Sequence, residues 1–199
     1  MQLKVFLTLF AAAASAALLD DVPEAPRKLT LMALRSGAVF HPGIISASQN
    51  KLWLSLPADK LDAECQDGQQ HTAATVYIQD GKLVLYGTGK ADEGKEVPVQ
   101  QFVVDRSGNG QGELNYYTQP ADAPPPTGDL EVVGWEIDTS ENLTFKGNNL
   151  IACPAADGSW AVWVNADVQN PGGNEGCLGF VTRVEGNYVP VGCEYSGHP

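Results

Sequence analysis

The chain has 199 residues and sets 24 acidic against 12 basic side chains, a formal net charge of −12. A surface of that sign repels phosphate backbones and anionic lipid, which excludes nucleic acid and membrane surfaces as partners. An apolar N-terminal run and four cysteines in a weakly charged, Gly-rich chain point instead to export.

Residues 1–17 read as a secretory signal peptide. Lys4 precedes the apolar run Val5 to Phe10, small residues fill Ala11 to Ala17, and Ala14-Ser15-Ala16 fits the small-x-small cleavage rule. The run is shorter than the roughly 20 residues of a membrane span. No hydrophobic tail closes the chain, so no lipid-anchor signal is expected. Residues 18–28, LLDDVPEAPRK, lack periodicity and are expected to form a flexible leader. Arg27-Lys28 is a dibasic processing site or part of a solvated tail.

Residues 29–199 are expected to form one secreted all-β domain. LTLMAL opens it, and KLWLSL and ATVYIQ follow. Asp80-Gly81 then separates ATVYIQ from KLVLYG. Such a pair between two alternating runs signals a hairpin, because a type I′ turn needs positive φ at both positions. Further strand-like runs are QQFVVD, GELNYYT, LEVVGWEI, NLTFKG, NLIACP, SWAVWVN, CLGFVTRV and NYVPVG, nearly all bounded by Gly, Asn, Asp or Pro. In SWAVWVN both faces are apolar, which predicts a central buried strand. The one helical candidate is Asp59 to Cys65, at most two turns. The proline-rich Ala123 to Gly128 reads as a long loop inside one domain. The expected fold is a single-domain β-sandwich or barrel of many short antiparallel strands, stapled by disulfides.

Little here suggests catalysis, and no catalytic residue is assigned. The nucleophile-elbow and zinc-protease motifs are absent. His41, His71 and His198 are not spaced as metal ligands, so no metal or cofactor is expected. Gly108 to Gly112 is glycine-rich but opens a strand, without the helix N-terminus that would hold phosphate. Glu131 and Glu136 lie at odd spacing and so on opposite strand faces.

An even cysteine count in an exported chain suggests two disulfides, and three pairings are open. Cys153 and Cys177 flank neighbouring apolar runs, so a bridge between them would staple two strands. Cys65–Cys193 then follows by exclusion. Asn142-Leu143-Thr144 is an N-glycosylation sequon at a turn. Sugars stack on flat aromatic faces, so Trp53, Trp135 and Trp163 are candidate carbohydrate contacts, with core packing the alternative for each.

The blocks LMALRSGAVFH, SASQNKLWLSL, DGKLVLYG and NLIACPAADGSWAVW…CLGF resemble the phialide-type (PhiA-like) fungal cell wall proteins. The likeness runs from about Leu31 to Val184 and does not reach Cys193. It implies a secreted, wall-associated, non-enzymatic protein linked to conidium-bearing cells, with some members allergens. The expected partners are wall polysaccharide, glucan or chitin, or other wall proteins. A fainter likeness is to the C-terminal domain of yeast wall proteins with internal repeats, which would implicate Gln69 in glucan attachment. A glycoside-active enzyme and a secreted effector or allergen are the alternative functions.

Overall fold

A computed structural model describes residues 25–90, 97–120 and 129–197. The expected signal peptide, the expected loop from Ala123 to Gly128 and His198 lie outside the described residues. The described residues form fifteen strands: β1 (Leu29–Leu34), β2 (Gly43–Ser48), β3 (Lys51–Leu54), β4 (Glu64–Cys65), β5 (Thr75–Gln79), β6 (Lys82–Leu85), β7 (Pro98–Asp105), β8 (Glu113–Pro120), β9 (Leu130–Glu131), β10 (Trp135–Ile137), β11 (Leu143–Phe145), β12 (Leu150–Pro154), β13 (Trp160–Val164), β14 (Leu178–Gly186) and β15 (Cys193–Glu194).

Six of them close a barrel in the order β1-β2-β3-β13-β12-β14, with β14 returning to β1. Apolar side chains at alternate positions fill the interior. Leu31, Ala33, Ile45, Ala47, Leu52, Leu54, Leu150, Ala152, Val162, Val164, Phe180 and Val184 are all buried, and their partners across each ladder are inward-facing too. Three alanines among them suit a narrow interior. Closure also removes the open edges that a flat sheet would expose.

The other edge of β1 is shared. Met32 and Ala33 pair with β2, while Leu29 and Thr30 pair with β5. A second sheet, β5-β6-β7-β8 with β9 on β7, peels away from the barrel there. Its inner face adds Val76, Leu83, Leu85, Phe102, Val104, Leu114 and Tyr116 to one contiguous core, capped by Trp135, Leu143 and Phe145 of the β10–β11 hairpin. Of the expected sandwich or barrel, the barrel is present, with a sheet packed beside it.

The Asp80-Gly81 turn has φ of 51° and 72°, as a type I′ turn requires. A second positive-φ turn, Gln49-Asn50, joins β2 to β3 without glycine. Asn50 also bridges the sheets: its carbonyl accepts from Tyr116 N–H and its side-chain amide donates to Tyr116 O.

Two expectations are corrected. Asp59 to Cys65 is not a helix: only Ala58–Lys60 makes a 3₁₀ turn, with no buried residue to anchor it. Leu61 is already extended, and Cys65 is drawn into β4 by pairing with β15. NYVPVG is not a strand but the loop leading to β15, with Tyr188 and Val189 exposed.

Candidate functional site

Both disulfides join residues already paired or adjacent in the fold. Cys153 ends β12 and bonds Cys177, one residue before β14, with Cα atoms 4.1 Å apart. Cys65 and Cys193 face each other across the β4–β15 pair. Among the described residues there is no free cysteine and no His/Cys/Asp/Glu cluster suited to a metal.

Asn142 stands at the turn of the β10–β11 hairpin, half-buried, its amide donating to Asp138 Oδ2 at 3.1 Å. Thr144, the third sequon residue, is buried beside Glu136. Gln69 is exposed, its backbone N–H bonded to Asp67 Oδ1, while His71 Nε2 meets the other oxygen of that carboxylate.

The tryptophans divide by depth. Trp135 is 2% exposed and packs against Phe145 and Phe102, with ring centroids 5.0 and 6.5 Å away. It offers no face to a sugar, because it is the centre of the hairpin's apolar contact with the second sheet. Trp163 is also buried. Lys51 Nζ lies 5.5 Å from its ring centroid, and Gly172 sits so close to the ring edge that a Cβ there would come within 2.7 Å. Trp53 keeps a half-exposed ring, its indole N–H donating to Ser48 O at 2.9 Å. Of the three candidates, Trp53 alone retains an accessible surface. Trp160, not a candidate, packs edge-on against Phe40.

Tyrosines add further accessible aromatic surface, with Tyr77 and Tyr86 half-buried and Tyr188 exposed. On one face of the β5–β6 hairpin, Tyr77 and Tyr86 lie on either side of Lys28, whose ammonium is 4.4 and 5.1 Å from their ring centroids. Burial against them holds the Lys28 pKa below its ordinary value, and burial likewise raises that of Tyr77. Lys28 is fixed from three sides. Its Nζ donates to Pro26 O, its carbonyl accepts from Asn187 N–H, and Asn187 in turn donates through its side chain to Thr75 Oγ1. Arg27 pairs with Glu141 at 3.1 Å. Arg27 and Lys28, the last two residues of the expected leader, thus contact Glu141, Asn187 and the rings of Tyr77 and Tyr86.

Next to Asn187, Tyr188 is 93% exposed, its ring lying over Gly186. Ala25 to Lys28 and Gly186 to Tyr188 enclose an open hollow of about 550 Å³. The sequence hid this arrangement. Tyr77 and Tyr86 are read as ordinary strand residues, and Tyr188 lies in a run patterned like a strand. The Asp-Gly hairpin was the one legible signal that Tyr77 and Tyr86 would be neighbours.

Glu131 on β9 and Glu136 on β10 stand on different strands. Arg106 grips Glu131 through two hydrogen bonds of 2.8 and 3.0 Å, and Lys146 contacts the same carboxylate. The Arg106 bonds foremost hold the Glu131 pKa down to about 2, so it stays ionised and has no proton to donate near neutral pH.

The family model for PhiA-like secreted proteins matches residues 29–196. The chain belongs to the PhiA-like secreted protein family. The family match covers the whole barrel and the second sheet, and it extends past Cys193, beyond where the sequence blocks ended. It is 39% identical to the cell wall protein phiA of Emericella nidulans, over 96% of this chain and 98% of that protein. The cell wall protein phiA of Aspergillus fumigatus is 36% identical over 98% of this chain and all of its own length. That of Aspergillus niger is also 36% identical, over the full length of both. No solved structure is significantly similar. As a PhiA-like protein, the chain is a secreted, wall-associated fungal protein.

Proposed function

We propose that this PhiA-like protein acts without catalysis, as a structural component that contacts wall polysaccharide, glucan or chitin, through the tyrosine surface around Lys28. Its setting is the wall of conidium-bearing or hyphal cells. The observation that carries this reading is Tyr188: a ring 93% exposed beside a hollow whose floor is fixed by Lys28 and Asn187. An aromatic ring left in water on a rigid loop is a surface on which the C–H face of a sugar ring can stack. Tyr77 and Tyr86, beside Lys28, extend the aromatic surface available. A polymer presenting repeated flat sugar faces compensates for weak single contacts by engaging several at once.

The test is retention of the non-reduced protein on insoluble β-glucan and on chitin, with soluble oligosaccharide as competitor. Saturable, competed retention that Tyr188→Ala removes, with no reducing sugar released, is the expected result. Retention unchanged in Tyr188→Ala would sink the tyrosine contact. Release of reducing sugar would point to the enzyme reading instead. No retention on either polymer would leave other wall proteins as the partners.

A further inference from the structure

One end of the barrel carries a second hollow of different chemistry. Asn148 and Asn149 lead into β12, and Asn165 to Asp167 leave β13, beside the start of β14. They line two adjoining clefts that share Asn165. One, about 290 Å³, runs from Arg106 and Glu131 past Asn148 to Asp167. The other, about 360 Å³, continues past Asn149 toward Arg35 and Val181. Barrel mouths are a common place for ligands, because strand ends bring polar loop residues together over a rigid base.

The charges lining this groove cancel. Arg106 and Arg35 stand against Glu131 and Asp167, and Lys146 contacts Glu131 from beyond the lining. Beside these charges stand the Asn148, Asn149 and Asn165 carboxamides, and the second cleft adds the apolar Leu34, Ile151 and Val181. Among the described residues, the exposed Asn149 carboxamide, Nη1 of Arg106 and Oδ2 of Asp167 have no hydrogen-bond partner. The groove offers both free donors and free acceptors, with no net charge and no exposed aromatic ring.

We infer that this groove binds a neutral saccharide chain through its hydroxyl groups. Each sugar hydroxyl donates and accepts, as a carboxamide does through its two ends, so the two match without a charge on either side. A phosphate would meet Glu131 and Asp167, and a cation would meet Arg106 and Lys146. Without a ring to stack on, the groove grips the edge of a single chain, whereas the tyrosine surface meets the flat face of packed chains. The inference rests on the wall-polysaccharide reading and adds a second, independent site to it.

The experiment titrates the full chain with a β-1,3-linked glucose hexasaccharide and, separately, an N-acetylglucosamine hexasaccharide, followed by calorimetry and by amide NMR. One of the two should shift the signals of Asn149 and Asn165. Asn149→Ala should weaken that binding about fivefold, the size of one lost hydrogen bond. Tyr188→Ala should leave it unchanged. Asp167 has φ of 55°, which Asn tolerates, so Asp167→Asn tests the free carboxylate oxygen without disturbing the turn, with a similar loss expected. No shift with either sugar overturns the groove, as does wild-type affinity in both variants or displacement of the sugar by inorganic phosphate. Polymer retention that depends on Tyr188, with no hexasaccharide bound, overturns the groove and leaves the tyrosine surface standing. Hexasaccharide binding without polymer retention supports the groove and overturns the tyrosine surface.

Discussion

Cys65 and Cys193 stand directly opposite each other on β4 and β15, their Cα atoms 4.0 Å apart although 128 residues separate them in the chain. The bridge closes β5 to β14 into one loop and leaves β1, β2 and β3 outside it. Tyr195, two residues on, is buried beneath the second sheet. Its backbone N–H donates to Gln100 Oε1, its carbonyl accepts from Gln100 Nε2, and its hydroxyl accepts from Thr75 N–H. The C-terminal segment is thus held by a covalent bond and a buried polar network at adjacent positions.

The two disulfides should differ in what their loss costs. In the chain-entropy model a 128-residue loop is worth about 5 kcal/mol, and the 24-residue loop of Cys153–Cys177 about 3 kcal/mol. Guanidinium unfolding of Cys65→Ala/Cys193→Ala and of Cys153→Ala/Cys177→Ala should show the first pair as the less stable. The reverse order would mean that strand stapling outweighs loop closure here.

Trp135→Ala should lower stability by about 3–5 kcal/mol, the usual cost of emptying an aromatic site in a packed core. Trp53→Ala, at a half-exposed ring, should cost much less. Urea unfolding of both variants checks the contrast. Equal, small losses would mean that the β10–β11 hairpin is not part of the cooperative core.

The Glu131 carboxylate gives acid stability a defined window. Its folded pKa is held to about 2, first by the Arg106 hydrogen bonds and then by Lys146, well below the ordinary 4.5. A depressed carboxylate contributes stability that is complete above the unfolded pKa. That contribution is lost as pH falls from about 4.5 toward 2. Glu131→Gln should therefore be less stable than wild type at pH 6, and the difference should shrink across that window. Urea midpoints measured from pH 6 to pH 2 decide the point. A constant difference would mean that the ion pair is not coupled to folding.

Within the Gly108 to Gly112 loop, the glycines are not equivalent. Gly112 has φ of 100°, and a Cβ there would lie 2.1 Å from Val164 O, the carbonyl of the strand it packs on. Gly108 has open space around it. Gly112→Ala should cost more than about 3 kcal/mol, through backbone strain and a clash with main chain that cannot move aside. Gly108→Ala should be close to neutral. Thermal melts of the two variants would separate a packing glycine from a merely flexible one.

Much of this protein was written locally. Alternation at period two marked most of the strands, because each has one face in a core and one outside it. The Asp80-Gly81 turn was legible because few residue pairs accept positive φ twice. The cysteines announced a stapled exported domain, and the blocks around Leu31 and Cys153 carried the family.

Depth was decided only by the tertiary structure. Trp53, Trp135 and Trp163 all sit in strand patterns, and nothing local distinguishes the ring that meets Phe102 from the one left half in water. The segment from Asp59 to Cys65 has helical composition, yet pairing with a strand 128 residues away fixes its end as extended. Tyr188 reads as strand but is exposed on a loop, because β14 ends at Gly186 and Asn187 is bonded to Lys28 and Thr75. Local sequence determines which backbone states are cheap. Which face meets solvent depends on elements far along the chain, and so does the gathering of Lys28, Tyr77, Tyr86 and Tyr188 on one surface.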